Sequence, residues 1–322
     1  MYNDADGQHT PQHPALLHRV EQLALREDFD CLRVTDQELV LPHPPLGETR
    51  IRIDSEGDSI LRLCTTHYRA LGFGEIPELS EFVNDWNHDC LSPQLVLDYD
   101  HPTAVKVWGH SFFVVHNEPD TAQLAAATLP ALYNAEAYLE ELAAHFPGLR
   151  HQRPAPLPGS LDEPEDTASG STAEAEEAED PVREVSISRL KDMLPSLGIS
   201  RFQAESEDAI FAWINDVLFA FALDSGPSLI IKGHWDPNLE GSDFSKIFLI
   251  CNDWNRANGS ASAYCHSNVD GLQVRVDYVV MTGAGLSDVQ LVSALGRGLK
   301  HILHGIDDIS HDAVGSSPVA WP

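Results

Sequence analysis

One tetrapeptide, Asn-Asp-Trp-Asn, occurs twice in this chain, at residues 84–87 and 252–255, an offset of 168 positions. Apolar residues precede each copy at the same offset and with the i, i+3, i+4, i+7 spacing of an amphipathic helix. They are Leu79, Phe82, Val83 and Trp86 in the first copy and Ile247, Ile250, Cys251 and Trp254 in the second. Because chance would not reproduce this periodicity around the motif, the sequence predicts an internal duplication.

Similar elements surround both motif helices. An amphipathic helix opens each half, three or four strand candidates follow it, and two further strands and a last helix come after the motif helix. In the second half the first strand candidate covers residues 201–204, and the last helices begin at capping patterns at Asp120 and Ser287. Short connections between the strands favour antiparallel pairing. The predicted class is therefore α+β, with two copies of an α-β(3)-α-β(2)-α domain built on an antiparallel sheet.

An acidic segment rich in proline, serine and alanine separates the halves. It cannot bury enough apolar surface to offset its ordering entropy, so it is predicted to be an extended linker; a helical acidic spur is the alternative. The predicted divisions are a disordered tail at residues 1–13, a divergent domain at 14–147, the linker at 148–184, a second domain at 185–309 and a tail at 310–322.

The charge balance excludes several classes of function. Fifty acidic and 20 basic residues give a net charge of −30, which disfavours binding to nucleic acid and to anionic membranes. No apolar run approaches the roughly 20 residues of a membrane span. The first residues lack the features of a secretory signal, so a cytoplasmic location is expected. Five cysteines without a CxxC pair argue against both a disulfide framework and a zinc ribbon.

Each half resembles the YbjN domain family of bacteria, whose members are similar in fold to type III secretion chaperones. The resemblance is clearer in the second half, where it covers residues 186–308 and rests on the helix end at residues 249–255 and on the hairpin 217–234, which precedes Trp235. In the first half it covers residues 16–147, but His67 and Tyr68 stand where that tryptophan is expected. The resemblance implies a chaperone-like or sensory-transduction regulatory role.

The repeated motif has two interpretations. A tryptophan flanked by amides could bind a ligand, whereas a tryptophan on an apolar helix stripe normally packs in a core and asparagines near a helix end bond to the backbone of the following loop. The structural interpretation is preferred. It applies to the six motif residues Asn84, Trp86, Asn87, Asn252, Trp254 and Asn255.

No common catalytic signature is present in the sequence: it contains no nucleophile elbow, P-loop or zinc-protease motif. The 16 histidines show no converging metal-ligand spacing, so neither a metal nor a cofactor is predicted. His234, Trp235 and Asp236 are the one tight cluster of polar and aromatic residues, and they are the candidate binding residues.

Three hypotheses follow from these observations. The preferred one is a non-enzymatic, chaperone-like protein that binds an unidentified protein client. The alternative is an enzyme with an unrecognised site near His234, and a third possibility is that one half is a scaffold for the other. The linker is long enough to let the halves dock as an intramolecular pseudo-dimer, although their shared acidity opposes docking.

Overall fold

Each half of the chain builds one antiparallel sheet, as seen in a computed structural model that describes residues 13–54, 60–114, 119–150, 180–204, 208–224, 228–268 and 271–321. The elements of the first half are α1 (His13–Arg26), β1 (Leu32–Thr35), β2 (Glu38–His43), β3 (Gly47–Asp54), β4 (Ile60–His67), α2 (Ile76–Asp89), β5 (Gln94–Asp98), β6 (Lys106–Val114) and α3 (Thr121–His145). Its strands lie in the order β1-β2-β3-β4-β6-β5.

The second half has a similar order of elements, with one strand fewer before its motif helix among the described residues. It contains α4 (Ile187–Met193), β7 (Ala209–Ile214), β8 (Val217–Leu223), β9 (Ser228–Leu239), α5 (Phe244–Ala257), β10 (Ser262–Asn268), β11 (Gly271–Met281) and α6 (Asp288–Val314). Its sheet has the order β10-β11-β9-β8-β7, so β5 and β10 are both terminal strands, each beside the last strand of its half. The α+β class and the antiparallel pairing predicted from the sequence are confirmed.

The halves differ at the start of their sheets. The first half has four strands before its motif helix α2 and the second has three before α5. The strand predicted at residues 201–204 is reduced to a single bridge, in which Gln203 and Phe211 exchange backbone hydrogen bonds of 2.8 and 2.7 Å. One bonded pair is too short a ladder to count as a strand.

Helix α6 packs closely on the second sheet. A Cβ added at Gly233 of β9 would lie 2.2 Å from Cγ2 of Ile302 and 2.9 Å from Cδ1 of Ile306. Glycine is therefore required at this position for the helix to approach the strand. Ile302, Ile306 and Ile309 are fully buried in this contact layer.

The ordered structure extends beyond the domain boundaries predicted from the sequence. The predicted tail at 310–322 begins inside α6, which ends at Gly315 in the left-handed conformation (φ 79°). Beyond it Val319 is buried, and the N–H of Ala320 donates to the carbonyl of Asn215 at 3.0 Å. The burial of apolar Ala313 and Val319 accounts for the order of this segment.

The predicted linker, 148–184, is partly ordered at both ends. Leu149 is buried, and Arg183 pairs with Leu286 through two backbone hydrogen bonds. Asp180 accepts hydrogen bonds from the N–H groups of Asp288 and Val289 at the start of α6, where a carboxylate is favoured by the helix dipole. The middle of the linker, 151–179, and most of the predicted N-terminal tail, 1–12, lie outside the described residues.

Within the described part of the chain, no helix combines the length and the apolar character needed to cross a membrane.

Candidate functional site at the junction of the two halves

The two motif helices, α2 and α5, place their apolar stripes in the core. Leu79 and Val83 of α2 and Ile247 and Cys251 of α5 are almost fully buried. The two motif tryptophans also pack against aromatic or helical surface: Trp86 lies edge-on to Tyr138, and Trp254 lies against Gly305 of α6. The indole N–H of Trp86 donates to the carbonyl of Pro93 at 2.9 Å.

Asn87 and Asn255 bind the strand that follows them in their own half. The N–H of Leu95 in β5 donates to Oδ1 of Asn87 at 2.7 Å, and Nδ2 of Asn87 donates to the carbonyl of Leu95 at 2.8 Å. Asn255 makes the same pair of bonds to Ala263 in β10, both at 2.8 Å. Each amide thus satisfies both backbone groups of one strand residue.

Asn84 and Asn252 each make such a pair of hydrogen bonds to a strand of the other half. The N–H of Cys265 in β10 donates to Oδ1 of Asn84 at 2.8 Å, and Nδ2 of Asn84 donates to the carbonyl of Cys265 at 3.1 Å. In the opposite direction, the N–H of Leu97 in β5 donates to Oδ1 of Asn252 at 2.7 Å, and Nδ2 of Asn252 donates to the carbonyl of Leu97 at 3.1 Å. The two exchanges are related by the same offset of 168 residues that separates the motifs.

These four amides form hydrogen bonds with backbone groups that the terminal strands of both sheets would otherwise leave unpaired. A terminal strand exposes backbone N–H and C=O groups along one side, and leaving them buried and unpaired is costly. A carboxamide carries one acceptor and one donor group side by side, as a neighbouring strand would. All four asparagines are themselves buried, so β5 and β10 are closed at residues 95, 97, 263 and 265 without strand pairing between the halves.

Polar contacts flank this exchange at equivalent positions. His88 of α2 lies 3.0 Å from His266 of β10, with the two rings stacked. At the matching place, Arg256 of α5 lies 3.5 Å from Asp98 and 2.6 Å from Asp100. Burial, followed by the charge of Arg275, lowers the pKa of His266, so its neutral form is favoured in the stacked pair.

The capping boxes of the last helices also meet. The side chains of Gln123 and Gln290 each close the capping box of their helix, and Nε2 of Gln123 donates to Oε1 of Gln290 at 3.0 Å. The two helix starts predicted from Asp120 and Ser287 are confirmed, and their meeting brings α3 and α6 together at the junction.

His234, Trp235 and Asp236 do not form a common site. Successive side chains of a strand point to opposite faces. Trp235 is buried in the core, His234 lies partly buried on the other face, and Asp236 is exposed, where it accepts from the N–H of Asn238. Burial, aided by Arg275 and Lys232, lowers the pKa of His234 to about 4.

An ion pair between partly exposed Lys232 and buried Asp277 lies on the same face as His234, and no sequence pattern predicts it. Nζ of Lys232 donates to Oδ2 of Asp277 at 2.7 Å, and the hydroxyl of Tyr264 donates to the same oxygen at 3.0 Å. Burial raises the pKa of Asp277, against the lowering effect of Lys232. Neither β9 nor β11 carries a sequence signal for this pairing, which depends on the register Lys232–Asp277 between the two strands.

Among the described residues, no group of three or more histidine, cysteine, aspartate or glutamate side chains could hold a metal ion. The thiol groups of Cys251 and Cys265 are buried, and the pKa of Cys251 is raised through its hydrogen bond with Cys265 and by burial, so it is an inert thiol at neutral pH.

Comparison with known proteins identifies one domain. Residues 186–309 match the YbjN family, which is described as "Putative bacterial sensory transduction regulator". No curated protein matches the chain significantly. The chain is similar to a solved structure from E. coli, "Crystal structure of YbjN, a putative transcription regulator from E. coli", with 14% identity and a TM-score of 0.36, covering 44% of this chain and 100% of that one.

A second solved structure, the di-domain ARO/CYC StfQ from the steffimycin biosynthetic pathway, aligns with 95% of this chain and 94% of its own at 10% identity and a TM-score of 0.14. Both scores are too low to carry a functional argument. The family match covers the half in which the sequence resemblance is clearer; it begins one residue before α4 and ends inside α6. Residues 186–309 of this chain therefore form a domain that matches the YbjN family model.

Proposed function

We propose that this chain is a non-enzymatic regulatory protein in which two YbjN-like halves, derived by tandem duplication, form an intramolecular pseudo-dimer that binds a protein client. The pairing of the halves is supported by the reciprocal hydrogen bonds that Asn84 and Asn252 each form with the terminal strand of the other half. A regulatory role agrees with the description of the family matched by the second half.

Charge complementarity at the junction offsets part of the repulsion between the two acidic halves. Arg256 lies between Asp98 and Asp100 of the first half and over the ring of Tyr99, so at least one cation of the second half faces acidic groups of the first. The hydroxyl of Tyr99 also donates to Asp253. The exchanges of Asn84 and Asn252 use uncharged amides, which charge repulsion does not weaken.

The outer face of the second sheet offers a surface for the client. Trp213 of β7 is 71% exposed, although a large apolar side chain is normally covered. Leu218 lies directly opposite it on β8, and Phe211 is the next residue of β7 on the same face. Exposed tryptophans surrounded by apolar side chains are frequent anchors of protein interfaces. We define Phe211, Trp213 and Leu218 as the Trp213 surface.

Cross-linking of the full-length chain in its host cells tests this proposal. We expect one client to be captured reproducibly by the unmodified chain and lost with Trp213→Ala. Val289→Ala is the matched control, because Val289 is also 71% exposed but lies on α6. The same client captured equally by all three chains would place the interface elsewhere, and no reproducible client would contradict a protein-binding function.

A further inference from the structure

Two adjoining cavities lie between the halves, close to the N-termini of α3 and α6. The larger has a volume of about 100 Å³ and a mainly apolar lining. Both halves contribute to it, with Leu61, Val114 and Leu124 from the first and Val280, Leu286 and Ala294 from the second. The smaller has a volume of about 50 Å³ and shares Phe112, Phe113, Ser260, Val279 and Met281 with the larger.

Unpaired polar atoms collect around the smaller cavity. Gln94, His110, Ser262 and Asp277 all line it, and each has a buried side-chain atom without a hydrogen-bond partner: Oε1, Nδ1, Oγ and Oδ1 respectively. Gln94 and Asp277 are themselves more than nine-tenths buried. Buried polar atoms are normally paired, so four unpaired ones around a single cavity indicate a polar ligand.

The same side chains are held firmly at their other ends. Nε2 of Gln94 donates to the carbonyl of Ala261 in the other half at 2.9 Å. Oδ2 of Asp277 accepts from Lys232 and Tyr264. The free oxygens are therefore fixed in position before any ligand arrives, which reduces the entropy lost on binding.

The charges around the smaller cavity select for an uncharged ligand. The free oxygens of Gln94 and Asp277 repel a carboxylate. Lys232 already neutralises Asp277, so the carboxylate has no charge left to compensate a buried ammonium group, and burying an uncompensated charge is costly. A hydroxyl group is neutral, can donate to either oxygen, and can accept from Ser262.

We propose that the two cavities together bind a small uncharged amphiphile of about six carbons, whose aliphatic body lies mainly in the larger cavity and whose hydroxyl head lies in the smaller. Cavities of about 150 Å³ admit molecules of the size of benzene, so the space suits a ligand of this size. The site needs residues of both halves, and it is separate from the Trp213 surface.

Ligand-detected NMR with the full-length chain tests the proposal, with 1-hexanol as the probe and hexylamine and hexanoate as charged analogues of the same length. We expect saturable binding of 1-hexanol and at least tenfold weaker binding of both analogues at pH 7. Equal binding of all three, or no saturable binding of 1-hexanol, would overturn the proposal.

Two variants locate the ligand. Ser262→Ala removes a hydroxyl that has no partner in the protein, so we expect an unchanged thermal midpoint and several-fold weaker binding of 1-hexanol. Ala127→Leu fills the larger cavity from α3 and should abolish binding. Ser196→Ala, at an exposed position outside the lining of both cavities, is the control. Unchanged binding in Ser262→Ala, whatever the effect of Ala127→Leu, would contradict the assigned position of the head group.

Discussion

Asn84 and Asn252 each bind the half of the chain that contains the other. The amide of Asn84 pairs with the backbone of Cys265, and the amide of Asn252 pairs with the backbone of Leu97. Each amide acts as donor and acceptor at once. A leucine at either position would offer neither group, and an aspartate would set a carboxylate against a carbonyl oxygen. Asparagine is therefore the small side chain that suits this position chemically.

The first prediction concerns Asn252→Ala. The substitution leaves the N–H and C=O of Leu97 buried and unpaired, and each such group costs about 1–3 kcal/mol. We expect the free energy of unfolding to fall by roughly 2–6 kcal/mol in urea denaturation. In the double variant Asn84→Ala/Asn252→Ala we also expect the halves to separate, which small-angle scattering would detect as a larger maximum dimension.

Asn87→Ala/Asn255→Ala is the matched control, because these amides bind strands of their own half. It should lose comparable stability without an increase in the maximum dimension of the native protein. If both double variants gave the same scattering profile as the unmodified chain, the cross-half amides would not be what holds the halves together.

The sequence predicts the elements of the fold well because each depends on local pattern. The apolar spacing around Trp86 and Trp254 defines the motif helices, and the capping patterns at Asp120 and Ser287 define where the last helices begin. Residues 201–204 and the chain beyond residue 309 were predicted less well, because their structure depends on distant partners such as Phe211 and Asn215.

The junction was predicted only in part. The sequence favours a structural role for the motif but does not separate its two asparagines: Asn84 and Asn87 lie one turn apart on the same helix and bind different halves. No local pattern distinguishes them, since the difference arises from how the halves dock. The grouping of His234 with Trp235 relied on adjacency in sequence, whereas alternation along a strand places neighbouring side chains on opposite faces.

The second prediction compares two glycines of α6. A Cβ at Gly305 would lie 2.8 Å from Cζ2 of Trp254, whose ring is held by a hydrogen bond to Asp308, whereas a Cβ at Gly296 has its nearest neighbour at 3.8 Å. Alanine favours a helix over glycine by about 1 kcal/mol. We expect Gly296→Ala to raise the thermal midpoint and Gly305→Ala to lower it, with overpacking costing about 1–3 kcal/mol. A higher midpoint for Gly305→Ala would show that the indole can move away.

The third prediction concerns acid stability. Burial lowers the pKa values of His43, His110 and His234 to about 4. Between the unfolded value near 6.5 and the folded value, the unfolded state binds protons that the folded state does not. Stability from this source is therefore complete above about pH 6.5 and is lost as the pH falls toward 4, by up to about 1.4 kcal/mol per pH unit for each histidine.

Ring proton chemical shifts measure this effect directly. The signals of His43, His110 and His234 should stay in their neutral positions from pH 7 to pH 5, while the free energy of unfolding declines over the same range. Titration of any of the three near pH 6.5 would show that this histidine does not contribute to the loss of stability at acid pH.

The fourth prediction concerns Lys232 and the buried carboxylate of Asp277. Removing one partner of a buried ion pair leaves an uncompensated charge, so we expect Lys232→Met to cost about 3 kcal/mol, whereas Lys232→Met/Asp277→Leu should recover most of that loss. Burial already raises the pKa of Asp277, and the loss of Lys232 raises it further. A carboxylate whose pKa is raised in the folded state destabilises the fold above that pKa and ceases to do so below it. The deficit of Lys232→Met in free energy of unfolding, relative to the unmodified chain, should therefore shrink as the pH falls. Urea denaturation of the three chains at pH 7 and pH 5 measures both effects, and a deficit that is the same at both pH values would mean that Asp277 is not the charge left unpaired.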